Sequence, residues 1–155
     1  MIILGIDPGL AIVGYSVVEY ENKQYKLLAS GSIKTNQTDR EEKRLFEVFE
    51  DMCFLCKKYT PSVASIEKLY FFKNQKTVMQ VSQARGVILA ALEKYKIPIF
   101  GYTPIEVKQT ITGFGRASKD EVKKYVKLYV DLPNTKLDDT IDSIAIAICH
   151  TRNIL

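Results

Sequence analysis

Apolar and polar positions along the 155 residues follow two rhythms, and the switches between them outline the elements. Residues 1–7 (MIILGID) are a short apolar run that stops at Asp7-Pro8-Gly9, the pattern of a buried strand meeting a turn. Residues 12–20 and 24–34 alternate with a period near two, and Glu21-Asn22-Lys23 between them predicts a hairpin. From Asp39, which predicts a helix cap, the period lengthens. Leu45, Phe49, Met52, Cys53 and Cys56 fall on one stripe of a helix reaching about Lys58. Residues 63–66 are a β-prone run ending at Glu67, followed by an irregular aromatic and basic stretch, residues 68–74. Residues 76–94 read as a second helix and 97–102 as a fifth strand. Pro104 opens a short helix to about Thr112, which residues 113–116 break. Ser118 caps the next, with Val122, Tyr125, Val126 and Tyr129 inward. Residues 137–152 form a last helix, strongly apolar from Ile141 to Ile148. The order β-β-β-α-β-α-β-α-α-α predicts an α/β domain. Its mixed five-stranded sheet has three antiparallel strands and then two parallel ones, flanked by helices. No repeat, low-complexity tract or linker interrupts it, so residues 1–155 are expected to be a single domain.

Composition narrows the class. Hydrophobic residues make up 46% and charged residues 26%, values of a globular chain that exclude disorder, collagen and coiled coil. The apolar run before Asp7 is too short for a signal peptide or a membrane span, which predicts a cytoplasmic protein with no membrane contact. Three cysteines, an odd number, agree with reduced thiols. Cys53-x-x-Cys56 lacks a second ligand pair and continues the stripe of Leu45 and Phe49, so it reads as core. With His150 as the only histidine, histidine-based catalysis and His-rich zinc sites are nearly excluded.

The net charge is +4, unevenly spread. Residues 52–136 hold fifteen bases against six acids, whereas both flanking stretches are net acidic. From Lys68 to Leu92 there are four bases and no acid. Either a basic face meets a polyanion, or lysines are scattered over a solvated surface.

The acids are the most informative residues. Asp7 ends the first strand, Glu67 ends the fourth, and Asp139 and Asp142 stand three apart on the last helix, on one face of a turn. If strands one and four lie side by side and parallel, four carboxylates from three segments converge. Like charges at that range raise one another's pKa unless cations sit among them. Hard oxygen ligands at an open site suit Mg²⁺, and two such ions about 4 Å apart support phosphodiester hydrolysis. Each acid also has an ordinary reading: Asp7 as a turn residue, Asp139 as a partner of the helix dipole, Glu67 as an exposed strand end. Asp142 enters an apolar run, where a carboxylate needs a partner or a metal. In the second helix, Ser82, Gly86 and Ala90 form a small-residue stripe beside an apolar face, so cover by a second copy or by the chain itself is expected. Tyr70, Phe71 and Phe72 beside Lys68, Lys73 and Lys76 form either a stacking platform in a basic setting or a loop packed on the core.

Five segments together resemble the RuvC family of Holliday-junction resolvases, within the ribonuclease-H-like superfamily. They are Gly5-Ile6-Asp7-Pro8-Gly9 with Gly14, Ile66-Glu67 with an aromatic three later, and Gln83-Ala84-Arg85-Gly86. Val107-Lys108-Gln109 and Asp139-x-x-Asp142 before Ser-Ile-Ala-Ile-Ala complete the set. They occur in family order from residue 2 to about 150. The resemblance implies a ribonuclease-H-like fold. It also implies Asp7, Glu67, Asp139 and Asp142 as catalytic ligands of two Mg²⁺ ions per site, with Mn²⁺ as an alternative. His150 stands outside that set. The same resemblance implies Tyr70 as a stacking wedge, with Phe71 and Phe72 as neighbouring candidates. Lys108 and Lys119 become contacts to DNA phosphates, joined by Lys76 in the basic stretch. It implies a homodimer through Ser82, Gly86 and Ala90, four-way junction DNA as substrate, paired symmetric nicks in recombination and repair, and a branch-migration complex as partner. Three rivals stand beside it: an RNA-processing nuclease of the same superfamily, an actin-like ATPase and a non-catalytic junction-binding module. The length disfavours the ATPase, and the four carboxylates disfavour the binding module.

Overall fold

The computed structural model describes residues 1–69, 75–132 and 138–154, with the side chains at 75, 76, 138 and 139 left aside. Five strands form one sheet: β1 (Ile2–Asp7), β2 (Ile12–Glu21), β3 (Gln24–Lys34), β4 (Val63–Glu67) and β5 (Ile99–Tyr102). Five helices pack on it: α1 (Glu41–Tyr59), α2 (Gln75–Lys94), α3 (Pro104–Thr112), α4 (Lys119–Tyr129) and α5 (Asp138–Ile154). The strand order is β3-β2-β1-β4-β5, antiparallel through β1 and parallel beyond it. The expected element order and the mixed sheet are therefore what forms. The hairpin is tighter than read: only Asn22 and Lys23 lie outside the strands, with φ of 50° and 63°. Positive φ at both central residues gives the turn the twist that suits a two-residue hairpin.

Alternation along the strands divides the sheet into two faces. Leu4 and Ile6 of β1, Val13 and Val17 of β2, and Ala64 and Ile66 of β4 enter a core with Val48, Met52 and Leu55 of α1 and Ile88, Ala91 and Leu92 of α2. The residues between them face α5. Ile3, Val18 and Val63 cluster with Ala147, and the buried Ser65 hydroxyl donates to the Ile146 carbonyl at 2.7 Å. Gly5 explains how close α5 comes: a Cβ there would lie 2.1 Å from the Ser143 carbonyl oxygen. Only a residue without a side chain lets the helix backbone settle onto β1.

Two helix expectations need correction. Asp39 does not cap α1. Arg40 holds the cap position without a side-chain bond, and the Asp39 carboxylate instead accepts from Lys43 Nζ at 2.9 Å. Starting at Glu41 puts Asp39 one residue too early to reach the free amides, while Glu41 and Glu42 complement the helix dipole. The buried stripe of α1 is also rotated. Arg44, Val48, Met52, Leu55 and Cys56 are buried, while Leu45, Phe49 and Cys53 are half-buried. In α4, Val122 and Val126 point inward as expected, but Tyr125 is exposed. The fifth strand begins two residues later than read, at Ile99. No helix among the described residues is long and apolar enough to cross a membrane.

Candidate active site

The pairing of β1 with β4 decides where the acids meet. Ile6 lies opposite Ile66 in a parallel register, so Asp7 and Glu67, one step further on, leave the same edge of the sheet side by side. Both belong to the alternation that faces α5, whose second turn carries Asp142. The three carboxylates line one cavity of about 640 Å³. Lys108 from α3 and Lys119 from α4 line it as well.

Both lysines are held by helix starts that sequence chemistry dictates. Thr103 accepts from the Glu106 amide at 3.1 Å and Glu106 accepts from the Thr103 amide at 2.6 Å, a capping box with Pro104 in the first turn. Ser118 and Glu121 repeat the arrangement at 3.2 and 2.7 Å, which makes Lys119 the first residue of α4. These bonds to backbone amides hold Glu106 and Glu121 below the usual carboxylate range. Those two acids therefore serve the caps.

The remaining acids are in the opposite condition. Burial, then the nearby Asp142 charge, pushes the Asp7 carboxyl up to about 6 against the pull of Lys119. Burial, then Asp7 and Asp142, pushes Glu67 to about 7 despite Lys119 and Lys108. Lys119 Nζ lies 3.6 Å from Asp142 Oδ2, yet that lysine is 88% exposed, so its charge is largely spent on water. The cavity's three lysines, Lys68, Lys108 and Lys119, do not offset the burial and mutual repulsion of the two carboxyls. The cavity's donors are all carboxylate oxygens, the ligand type that Mg²⁺ prefers, so the residues fit a divalent cation. Among the described residues no three acids, cysteines or histidines close into a ligand cluster. The side chain of Asp139, one turn before Asp142 on α5, is outside the description.

The other predicted positions divide. Tyr70 lies outside the described residues, with Phe71 and Phe72, and for Lys76 only the α2 backbone is described. Ser82, Gly86 and Ala90 are exposed along α2, and a Cβ on Gly86 would meet nothing within 4 Å. Among the described residues nothing covers this stripe. His150 is a core residue: buried, its ring tilted against Phe100 with centroids 4.6 Å apart, with Nδ1 2.9 Å from the Tyr102 hydroxyl and its pKa lowered by burial. Cys56 is buried and Cys53 half-buried on α1, and both are free thiols. The sequence reading missed Lys68, Ile105 and Gly115, which also line the cavity. Lys68 had a signal, since it follows Glu67 directly. Ile105 and Gly115 had none, because only the packing of α3 against its following loop brings them there.

Comparison with known proteins gives consistent matches. The profile of the family described as Crossover junction endodeoxyribonuclease RuvC matches residues 3–150. The chain is 46% identical to the Petrotoga mobilis crossover junction endodeoxyribonuclease RuvC, over 97% of this chain and 93% of that one. It is 45% identical to the protein of the same name from Halothermothrix orenii, over 97% and 92%. The structure of T. thermophilus RuvC in complex with Holliday junction substrate superposes with a TM-score of 0.90, at 27% identity, covering 99% of this chain and 94% of that one.

Proposed function

The chain belongs to the RuvC family of crossover junction endodeoxyribonucleases, and from that premise we propose that it resolves four-way DNA junctions by metal-dependent hydrolysis at the carboxylate cavity. The observation that carries this reading is the placement of Asp7 and Glu67 on neighbouring parallel strand ends with Asp142 in the same cavity. Asp7, Glu67 and Asp142, with Asp139 one turn away, are the residues that would hold two Mg²⁺ ions. Bound there, the ions supply Lewis acidity and an activated water for in-line displacement at phosphorus. The chain's own part is electrostatic and positional. A cation among Asp7, Glu67 and Asp142 would relieve their mutual repulsion, while Lys108 and Lys119 give a phosphate two positive contacts beside them.

The reading extends to assembly. The uncovered stripe of Ser82, Gly86 and Ala90 supports a two-fold dimer through α2, and a C2 dimer presents equivalent sites to the two like strands of a junction. Paired nicks then leave two duplexes. Tyr70 is the wedge and Lys76 a phosphate contact in this reading, residues 1–155 are one nuclease domain, and a branch-migration complex is the expected partner in the cytoplasm. The discriminating experiment offers the chain, with Mg²⁺, a synthetic four-way junction, a linear duplex of the same sequence and an RNA–DNA hybrid. Symmetric nicks in the junction alone support the proposal. Equal cutting of the hybrid would move the function to another ribonuclease-H-like activity.

A further inference from the structure

The loop between α3 and α4, Gly113-Phe114-Gly115-Arg116, borders the cavity through Gly115, while Phe114 and Arg116 have no role in the reaction as proposed. Gly113 ends α3 with φ of 80°, a conformation that favours glycine. Phe114 is then pinned on both sides of its Cα. Its amide donates to Thr112 Oγ1 at 3.1 Å, its carbonyl accepts from the Ala117 amide at 3.1 Å, and the Thr112 hydroxyl donates to the Lys108 carbonyl at 2.9 Å. Gln109 Nε2 ties down the Gly113 carbonyl at 2.8 Å. Gly115 lines the cavity against Ile105, where a Cβ would come within 3.0 Å of Ile105 Cγ2.

This well-anchored backbone leaves its aromatic ring in water. Phe114 is 59% exposed, and Ile105 beside the loop is 66% exposed. A single exposed apolar residue needs no explanation, but Phe114 next to the cavity-lining Gly115, with exposed Ile105 against that glycine, forms an apolar ledge beside the cavity. The surrounding charge has one sign: residues 107–119 contain Lys108, Arg116 and Lys119 and no acid. Among the described residues Arg116 has no carboxylate partner. An aromatic face beside a guanidinium with no carboxylate partner among the described residues is the combination that holds a nucleic-acid strand by stacking and phosphate contact.

We propose that Phe114 and Arg116 form a second strand contact on the α3–α4 loop, the ring stacking on a nucleobase beside the scissile phosphate and the guanidinium holding a flanking phosphate. This deepens the junction-cutting reading and rests on it. The contact selects little sequence, since every base has a face to stack. It keeps the strand from swinging out of the cavity between Lys108 and Lys119.

The test uses junctions carrying 2-aminopurine at single positions around the cut, bound to the full chain in an Asp7→Asn background so that cleavage does not intervene. Stacking should quench the probe at one position, Phe114→Leu should restore its fluorescence, and Phe114→Trp should quench it again. In the otherwise unmodified chain, Phe114→Leu should slow single-turnover cleavage about tenfold, with thermal stability unchanged because the ring is exposed. Arg116→Gln should lower the salt slope of log K by about 0.9. Wild-type cleavage by Phe114→Leu, with no fluorescence change at any probe position, would overturn the contact while leaving the junction reading intact. A parent chain that leaves four-way junctions uncut would overturn both.

Discussion

The two faces of the sheet are made from alternate residues of the same strands, yet they are built to different tolerances. Towards α1 and α2 the sheet presents Leu4, Ile6, Val13, Val17 and Ile66, large aliphatic side chains that fill an ordinary core. Towards α5 it presents Gly5, Ser16 and Ser65, small or hydroxylic residues that bring a helix backbone close enough to accept a hydrogen bond from Ser65. The first face gains stability from apolar burial, which many residue combinations supply. The second holds α5 at one distance and rotation, and so sets where Asp142 stands relative to Asp7 and Glu67. Gly5 and Ser65 each stand two residues before a carboxylate of the edge, so this packing is part of the edge's geometry.

The comparison is broken most severely at Gly5. Gly5→Val places a side chain where a single Cβ already falls 2.1 Å from the Ser143 carbonyl, so α5 must lift. Overpacking on this scale is expected to cost about 3 kcal/mol or more in urea denaturation and to abolish cleavage. Ile88→Val on the other face, also a fully buried position, should cost about 1 kcal/mol and leave cleavage nearly unchanged. Equal losses from the two substitutions would erase the distinction.

A second test concerns the outer side of the apolar layer. Gly86→Glu adds a charge to the exposed stripe of α2, where a Cβ meets nothing within 4 Å among the described residues. At a dry two-fold interface the two copies should repel and shift a modest dimer to monomer, by several kcal/mol on an order-of-magnitude view. Sedimentation should then show monomers, and junction assays should show single unpaired nicks. A variant that still sediments as a dimer and nicks in pairs would place the interface elsewhere.

The fold was legible because its rhythms are local. Strand alternation, Pro104, the Ser118 capping box and the apolar run of α5 all report on neighbours within a few residues. The side-by-side placement of Asp7 and Glu67 was also within reach, once strands one and four were taken as parallel partners. Other features depend on how finished elements settle against each other. The rotation of the α1 stripe depends on which face the sheet leaves free, and Asp39 failed as a cap because the helix began one residue later than that cap requires. The cavity positions of Ile105 and Gly115 come from the α3–α4 loop folding back on its own helix, which no periodicity records.

The carboxylate edge makes a smaller, pH-dependent prediction. Asp7 and Glu67 have folded pKa values of about 6 and 7 against ordinary values of 3.8 and 4.5. The metal-free folded state therefore binds more protons than the unfolded chain between about pH 4 and 7, and its stability falls as pH rises through that window. The loss is on the order of a few kcal/mol for the coupled pair taken together. Melting temperature in EDTA should drop from pH 5 to pH 8, Asp7→Asn should flatten part of the drop, and Mg²⁺ should stabilise more at pH 8 than at pH 5. A flat profile would mean that burial and mutual repulsion do not raise these two carboxyls in the folded chain.

The smallest effect is expected at the lysines. Lys108→Ala and Lys119→Ala should each reduce the salt slope of log K by about 0.9 and slow cleavage, with stability unchanged. A slope and turnover both equal to the parent's would return these residues to the solvated surface.

The most direct measurement is single-turnover cleavage of a four-way junction by Asp7→Asn and Asp142→Asn, paired with junction affinity measured without Mg²⁺. Cleavage should be abolished in both variants. Affinity should be unchanged or higher, because a negative charge beside the phosphate is gone while the fold and the lysines remain. Near-parental cleavage by either variant would contradict the assignment of the reaction to this carboxylate edge.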